Sequence, residues 1–206
     1  MKKLPALPVL ALCTVLLVGC GNSSDNAVSD EPDLEPTATA PSASADPNDE
    51  FQPLQVNMVA QSGTYFPDGV DGVEFGCSDT LVTISTVPIH ADSTQDHVAA
   101  AIQFLLDDSQ YYHGSPAVTN SLTLSETLEL SSVEVDRNSV EIALTGDVVV
   151  QSECEAHRIQ AQMYGTAAAT AQLEDVTITV DDTELHEVLG LEAFDTSQLA
   201  HHDETR

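Results

Sequence analysis

The residues of this sequence that could do chemistry are its four cysteines, its seven histidines and its many carboxylates. The histidines lack the paired spacing of metal ligands, and His201 and His202 stand in a polar stretch near the end. Ser115 follows His113 and Gly114 without the glycine-flanked turn of a hydrolase nucleophile. No phosphate-binding loop or dinucleotide fingerprint occurs. The sequence therefore predicts no enzyme, no catalytic residue, no metal site and no cofactor.

One cysteine, Cys20, ends a pattern that directs export and lipidation. Two lysines precede an apolar run over residues 4–18, and the small residue Gly19 stands directly before the cysteine. The run is too short to read as a stable membrane-spanning helix. The arrangement resembles the lipobox of bacterial lipoprotein signals, in which the cysteine is acylated and becomes the first mature residue. We therefore expect residues 1–19 to be a signal peptide and acylated Cys20 to hold the protein in a lipid bilayer.

The other cysteines predict one disulfide. Cys13 lies in the apolar run of the signal, which leaves Cys77 and Cys154 in an extracytoplasmic compartment where disulfides persist. We expect them to be bonded. The loop that they close is long, and the chain-entropy model assigns such a cross-link about 4–5 kcal/mol as an upper bound.

The charge of the chain is extreme. Asp and Glu number 34 against five Lys and Arg, for a formal net charge of -29. Both lysines lie in the signal, so only three arginines remain in the mature chain. Such a surface repels phosphate backbones, which excludes nucleic acid as a partner. The acidity indicates a solvated surface, and adaptation to saline surroundings is a sharper hypothesis.

Composition divides the mature chain into a linker, a domain and a tail. Residues 20–53 are rich in Ser, Thr, Pro, Ala and acids and cannot bury enough apolar surface to fold. As a flexible coil this linker would span about 30 Å. We expect it to hold a domain at residues 54–191 away from the membrane, and residues 192–206 to form a flexible polar tail. The predicted location is the cell envelope, outside the cytoplasm.

Periodicity predicts the order β-α-β-β-α-β over most of the domain. Residues 51–75 contain several Gly and Pro, and we expect an irregular cover or a short extra hairpin there. Serine caps predict helices at 94–108 and from Ser152 onward, and β-branched alternation predicts strands at 81–87, 128–135, 140–144 and 176–180. An uneven step at Ser131 and Ser132 predicts a β-bulge.

This order is the split βαβ arrangement, an α+β fold with one sheet and two helices on one face. If the first strand runs upward, the second helix begins at the end of the domain where that strand starts. Cys77, just before the first strand, and Cys154, in the first turn of the second helix, then lie at the same end. The topology therefore supports the predicted disulfide.

Three stretches of the domain resemble the GerMN domains of sporulation and spore-germination proteins. They are residues 76–82, 132–146 and 154–162, which read GCSDTLV, SVEV to VEIALTG, and CEAHRIQAQ. The resemblance extends over about residues 77–190. It implies a non-catalytic module of envelope lipoproteins or spore-assembly proteins that mediates protein contacts. A role in spores is not implied, because the domain also occurs in bacteria that form none.

Two further features are candidates for function or stability. The long connection at residues 109–127 carries Tyr111, Tyr112 and His113, which we assign to a candidate interaction loop. Arg158, on the second helix, is expected to pair with Asp79 near the disulfide. The alternative for Arg158 is a solvent-exposed ion pair that contributes little.

These observations predict a membrane-tethered envelope lipoprotein whose domain binds another envelope protein, or a second copy of itself, through a sheet face, a strand edge or the 109–127 loop. The alternative is an extracytoplasmic lipoprotein that binds a small ligand or a cation. A concave pocket with converging polar side chains would favour the alternative, and an exposed apolar strand edge would favour protein interaction.

Overall fold

The computed structural model describes residues 51–63, 71–114, 117–197 and 199. The predicted signal peptide, the predicted lipidation site Cys20, residues 20–50 of the linker and most of the end of the tail lie outside the described residues. Within the described ranges, no helix is long and apolar enough to cross a bilayer.

The described strands form two sheets. The first has five strands in the order β2-β3-β1-β5-β4, namely β1 (Gln52–Ala60), β2 (Val73–Phe75), β3 (Asp79–Ile89), β4 (Tyr112–His113) and β5 (Val118–Thr119). All its neighbouring strands are antiparallel. The second has the order β6-β7-β8-β9, namely β6 (Glu129–Val135), β7 (Ser139–Thr145), β8 (Asp175–Val180) and β9 (Thr183–Glu184). Within it, β7 and β8 are parallel.

Three α-helices and one 3-10 turn complete the described elements: α1 (Thr94–Asp107), α2 (Glu153–Ala171), α3 (Leu185–Leu189) and the turn Gly76–Ser78. The two long helices begin at the predicted caps. Ser93 Oγ accepts from the amide of Asp96 at 3.1 Å, and Ser152 Oγ accepts from the amide of Glu155 at 3.2 Å. Each bond satisfies an amide that has no partner within its helix, and so fixes where the helix starts.

The predicted α+β class is confirmed, but the strands do not form the single sheet of the split βαβ arrangement. The order β3-α1-β6-β7-α2-β8 is present, and β3 belongs to a different sheet from β6, β7 and β8. Strand β1 pairs with β3 along nearly its whole length, so the long partner of β3 is β1 and not a later strand. Helix α2 contacts strands of both sheets, and α1 packs on α2.

The prediction of an irregular cover or a short extra hairpin at residues 51–75 was wrong for its first part, which forms β1 and does not pair with β2. Strand β1 lies between β3 and β5, and Val56, Met58 and Val59 are at most 1% exposed. The Gly and Pro residues that suggested irregularity all follow the end of β1 at Ala60, apart from Pro53, which lies opposite Pro88. The signal that this prediction overlooked is the alternation of Leu54, Val56 and Met58 with the polar Gln55 and Asn57, which is the period of a strand.

Helix α2 closes the side of β1 that faces away from β3. The amide of Asn57 donates to Thr166 Oγ1 at 2.9 Å, and Thr170 Oγ1 donates to the carbonyl of Gln55 at 2.9 Å. Four residues of a helix rise about 6 Å, and two residues of a strand span about 6.7 Å. Because these lengths are similar, Thr166 and Thr170 lie beside Asn57 and Gln55. Gly165 permits this approach, since a Cβ there would lie 2.7 Å from Leu81 Cδ2. The helix thus replaces a neighbouring strand.

The main core lies between the two sheets and the long helices. Its fully buried members come from β1, both long helices, β7, β8 and α3, and include Val56, Met58, Ile102, Leu105, Ile142, Leu144, Ile159, Met163, Ile178 and Leu185. A smaller cluster of Val59, Leu81 and Ala161 joins β1, β3 and α2. The predicted bulge in β6 is present as a register shift between Leu130 and Ser132.

The first residues of the predicted flexible tail pack on α2. Gln160 Nε2 donates to the carbonyl of Glu192 at 2.7 Å, and the ring of Phe194 lies 5.6 Å from that of Tyr164. Thr196 is 8% exposed and its hydroxyl bonds the carbonyl of Glu174. A single aromatic residue in a polar stretch gives too weak a periodic signal to predict this contact, and the folded segment therefore extends past residue 191.

Candidate interaction edge

The outer edge of β3 is left unpaired over much of its length by the described strands. On this side, β2 pairs only with the first three residues of β3, Asp79–Leu81, and no other described strand pairs with β3 there. We call residues 83–87 the open edge of β3. An unpaired strand edge is a template for hydrogen bonding with a strand of another chain.

Alternation along the β1–β3 ladder decides which backbone groups the open edge presents. Asn57 and Gln55 of β1 direct backbone groups away from β3, toward the threonines of α2. Their partners across the ladder, Thr83 and Ser85, must therefore form non-hydrogen-bonded pairs with β1. The N–H and C=O groups of Thr83 and Ser85 consequently point outward from the open edge.

A bulge limits the length of this edge. Pro53 pairs with Pro88 and Gln55 with Ser85, so β3 has two residues, Thr86 and Val87, where β1 has one. A bulge bends the strand and Pro88 cannot donate to a partner, and both features are known protections against edge-to-edge aggregation. The open edge therefore suits a short strand rather than an extended sheet.

The side chains of the open edge are uncharged and in part apolar. No Asp, Glu, Lys or Arg occurs from Thr80 to Ile89. Val87 is 79% exposed, and at the end of the strand Phe51, 68% exposed, makes an edge-on contact with His90 at 5.8 Å between ring centroids. The open edge thus carries one exposed apolar side chain, Val87, and a second, Phe51, lies near its end.

The beginning of β3 is held by a cross-linked, charge-paired cluster. Cys77 and Cys154 form the disulfide that the sequence predicts, with 5.7 Å between their Cα atoms. Beside it, the buried carboxylate of Asp79 accepts from Arg158 Nε at 2.6 Å, as expected, and from the amide of Ser62 at 2.7 Å. These contacts fix β3 to α2 and make the strand a rigid support for its open edge.

The predicted interaction loop folds partly into a hairpin, β4 with β5, which extends the first sheet beyond β1. Tyr111 accepts a hydrogen bond from Gln61, and His113 Nε2 lies 2.7 Å from both the Asp108 carboxylate and the Gln110 carbonyl. Of the three predicted residues, Tyr112 is the most available for contact, at 54% exposure. The structure does not bring this loop to the open edge of β3, since β1 and β5 lie between them.

A buried polar network, which the sequence did not predict, anchors the same connection. Gln162 Oε1 accepts from the amide of Ser121 at 3.0 Å, and Gln162 Nε2 donates to Asn120 Oδ1 at 3.1 Å. Asn120 Nδ2 donates in turn to the carbonyl of Leu105 at 2.8 Å. Gln162 and Asn120 are both fully buried. Their sequence signal, polar residues in a helix and a loop, is the same as that of surface positions, so pattern reasoning could not find them.

A polar cavity of about 540 Å³ lies where the start of α1 meets the end of α2. Nine residues line it, namely Gln52, Ala91, Asp92, Ser93, Thr94, His97, Thr170, Ala171 and Gln172. His97 Nε2 is buried without a hydrogen-bond partner among the described residues. Nowhere in the described ranges do three or more His, Cys, Asp or Glu side chains group as metal ligands would.

Comparison with known proteins gives fold-level neighbours alone. No family model and no curated protein sequence matches the chain. Among solved structures, the chain is similar to the tandem GerMN domains of the sporulation protein GerM from Bacillus subtilis, with 15% identity and a TM-score of 0.41 over 64% of this chain. It spans 39% of that protein's length. The GerMN resemblance noted in the sequence is therefore met again among the solved structures.

A second solved structure is an inferred lipoprotein from Clostridium perfringens. Its identity to this chain is 16% and its TM-score 0.35, and the match covers 63% of this chain and 76% of the other. Likenesses this distant carry nothing about function. The functional proposal rests instead on residues of this chain.

Proposed function

We propose that this chain is a membrane-tethered lipoprotein of the bacterial envelope whose domain is a non-catalytic, GerMN-like protein-interaction module. The observation that carries the proposal is the open edge of β3, where the backbone donors and acceptors of Thr83 and Ser85 point away from β1 and no described strand pairs with them. Strand addition at such an edge obtains affinity from main-chain hydrogen bonds and specificity from alternate side chains.

The sequence supplies the setting for this role. The lipobox-like pattern at Cys20 attaches the protein to a bilayer, and the linker of residues 20–53 leads from Cys20 to the domain. Phe51 contacts His90, directly after β3, so the linker enters the domain near one end of the open edge. A tethered domain meets other envelope proteins at raised effective concentration, which allows a modest interface to serve.

Crosslinking in cells that express the full chain tests the interaction. A photoreactive residue replaces Thr83 on the open edge or, as matched control, Glu141, which is also exposed but lies on β7 with strands paired on both sides. We expect one recurrent envelope protein to be captured from position 83 and not from position 141. Recovery of no partner from position 83, in a folded and correctly fractionated protein, would contradict the proposal.

The tether has its own test. Replacement of the lipidation residue, Cys20→Ala, should move the protein from the membrane fraction to the soluble fraction, because one or more acyl chains supply the attachment. Retention of Cys20→Ala in the membrane fraction would show that lipidation is not what anchors the chain.

The polar cavity favours a second candidate function, binding of a small ligand or a cation. Its lining includes the carboxylate of Asp92 and the ring of His97, whose buried Nε2 has no described partner. A thermal-shift screen of cations and small polar metabolites tests this alternative. A saturable rise in the melting temperature that Asp92→Asn or His97→Ala abolishes would support it, and a flat response across the screen would count against it.

A further inference from the structure

The open edge of β3 is uncharged along its length and has carboxylates near both ends, and this distribution indicates the charge of its partner. The strand itself is uncharged from Thr80 to Ile89, while the whole chain has a formal net charge of -29. Exposed carboxylates stand near both ends of the edge. Asp71 and Glu74 lie beside its beginning, in and before β2, and Asp92, with its side chain 89% exposed, follows its end.

The register shows where a docked strand would lie. Strand β2 enters its pairing with β3 at Val73, which lies opposite Leu81. A segment opposite Thr83 and Ser85 would therefore continue the line of β2, with one end close to Asp71. Its other end would run toward the Asp92 side of the strand. Five residues of strand span about 17 Å, so both acidic flanks are within reach of side chains at the ends of a short peptide.

A second copy of this chain is a poor occupant of the edge. Each copy carries the same large negative charge, and like charges brought together cost several kcal/mol at about contact distance. The bulge at Thr86 and Val87 also leaves only a short flat segment for pairing two identical strands. A cationic partner avoids the repulsion and gains from electrostatic steering, and a short segment of it fits the length that the bulge leaves.

We infer that the open edge of β3 binds an extended segment of a basic protein by strand addition, with β-branched residues at the centre of the segment and Lys or Arg at its ends. The inference rests on the proposed interaction function and names the chemistry of its partner. Backbone groups of Thr83 and Ser85 pair with the segment, Val87 contacts its apolar centre, and the acidic flanks bind its ends.

Peptide binding to the full chain in detergent micelles tests the inference. The probe is a labelled peptide, Lys-Thr-Val-Thr-Val-Thr-Lys, followed by fluorescence anisotropy. Two control peptides replace both lysines by glutamate or both valines by proline. We expect the lysine peptide to bind at least about tenfold more tightly than either control, because glutamate ends repel the flanks and proline cannot pair. Binding should weaken from about 0.01 M to about 1 M salt, as the Debye length falls from about 30 Å to about 3 Å.

Two sets of variants locate the binding. Ser85→Pro removes an outward amide that the β1 ladder does not use, so it should leave the domain folded and weaken the lysine peptide about tenfold. Val87→Lys and Val87→Glu both remove the exposed valine but add opposite charges. For the lysine peptide, Val87→Lys should bind more weakly than Val87→Glu.

Each contrary result overturns a different statement. Equal binding of the lysine and glutamate peptides would refute the basic partner and leave the interaction function standing. Equal binding to the parent, the Val87 pair and folded Ser85→Pro would refute the edge and assign the affinity to the acidic surface as a whole. The proposed interaction function has its own test, the crosslinking in cells. If no partner is captured from position 83, the interaction function fails whatever the peptides show.

Discussion

The guanidinium Nε of Arg158 lies 2.6 Å from the Asp79 carboxylate, which is completely buried. Arg158 itself is 17% exposed. The pair joins α2 to the first residue of β3, beside the disulfide that joins α2 to the preceding turn, Gly76–Ser78. A carboxylate removed from water in this way depends on its partners, here Arg158 and the amide of Ser62.

Replacement of the arginine should therefore be costly. We expect Arg158→Ala to lower the free energy of unfolding by about 3 kcal/mol, because breaking a buried pair leaves an uncompensated charge. Urea denaturation measures the effect. The matched control is Arg137→Ala, in the exposed turn between β6 and β7, where a change below about 1 kcal/mol is expected. Equal losses for the two variants would show that the Asp79 pair behaves as an exposed one.

The hydroxyl of Thr166 is predicted to stabilise β1 rather than α2. Thr166→Val keeps the shape of the side chain but leaves the buried amide of Asn57 without its acceptor, which should cost about 1–3 kcal/mol. Hydrogen exchange of that amide should accelerate at the same time. Thr166→Ser retains the oxygen and is the matched control. If the valine variant were as stable as the serine variant, the helix would not be closing the strand edge.

Much of this fold follows from local signals. Both long helices begin at serines whose caps could be read from spacing, and the bulge of β6 showed as an uneven step in its apolar residues. The disulfide followed from the predicted extracytoplasmic compartment and from the two cysteines that remain once Cys13 and Cys20 are assigned to the signal and the lipid. These features depend on residues close in sequence, or on the scarcity of a residue type, and physical rules for them apply without a structure.

The features that matter most for the candidate edge were not predictable in this way. Strand β1 has a period-two pattern, in which Leu54, Val56 and Met58 alternate with Gln55 and Asn57, but this pattern does not show which strands β1 pairs with. The side chains of Asn57 and Gln55 pair with Thr83 and Ser85 of β3, while threonines of α2, more than a hundred residues later, bond the backbone at these two positions. Contacts between residues so far apart in sequence do not appear in the spacing of residue types. An open edge is the part of a strand that has no partner, and the sequence alone does not show which strands pair.

Gly165 offers a test of how closely α2 approaches the first sheet. Alanine would improve intrinsic helix propensity by about 1 kcal/mol. A Cβ would nevertheless stand 2.7 Å from Leu81 Cδ2 and 3.0 Å from Asn57 Nδ2, and we expect Gly165→Ala to destabilise the protein by about 1–3 kcal/mol. The double variant with Leu81→Ala should show favourable coupling, since the clashing methyl is gone. A stabilised Gly165→Ala single variant would contradict so close an approach.

Tyr164 should make the protein sensitive to alkali. Burial raises the pKa of its phenol above the ordinary value of 10.0, and the nearby negative charge of Glu184 adds to the shift. The unfolded chain therefore releases this proton at lower pH than the folded one. The contribution of Tyr164 to the free energy of unfolding is fully present below about pH 10 and is lost as pH rises from there toward the folded pKa. A single titrating group can change the slope of the free energy of unfolding against pH by at most about 1.4 kcal/mol per pH unit. Tyr164→Phe should flatten this alkaline decline in urea midpoints, with Tyr112→Phe as the control for removing one tyrosine. An unchanged alkaline slope in Tyr164→Phe would show that the buried phenol is not its source.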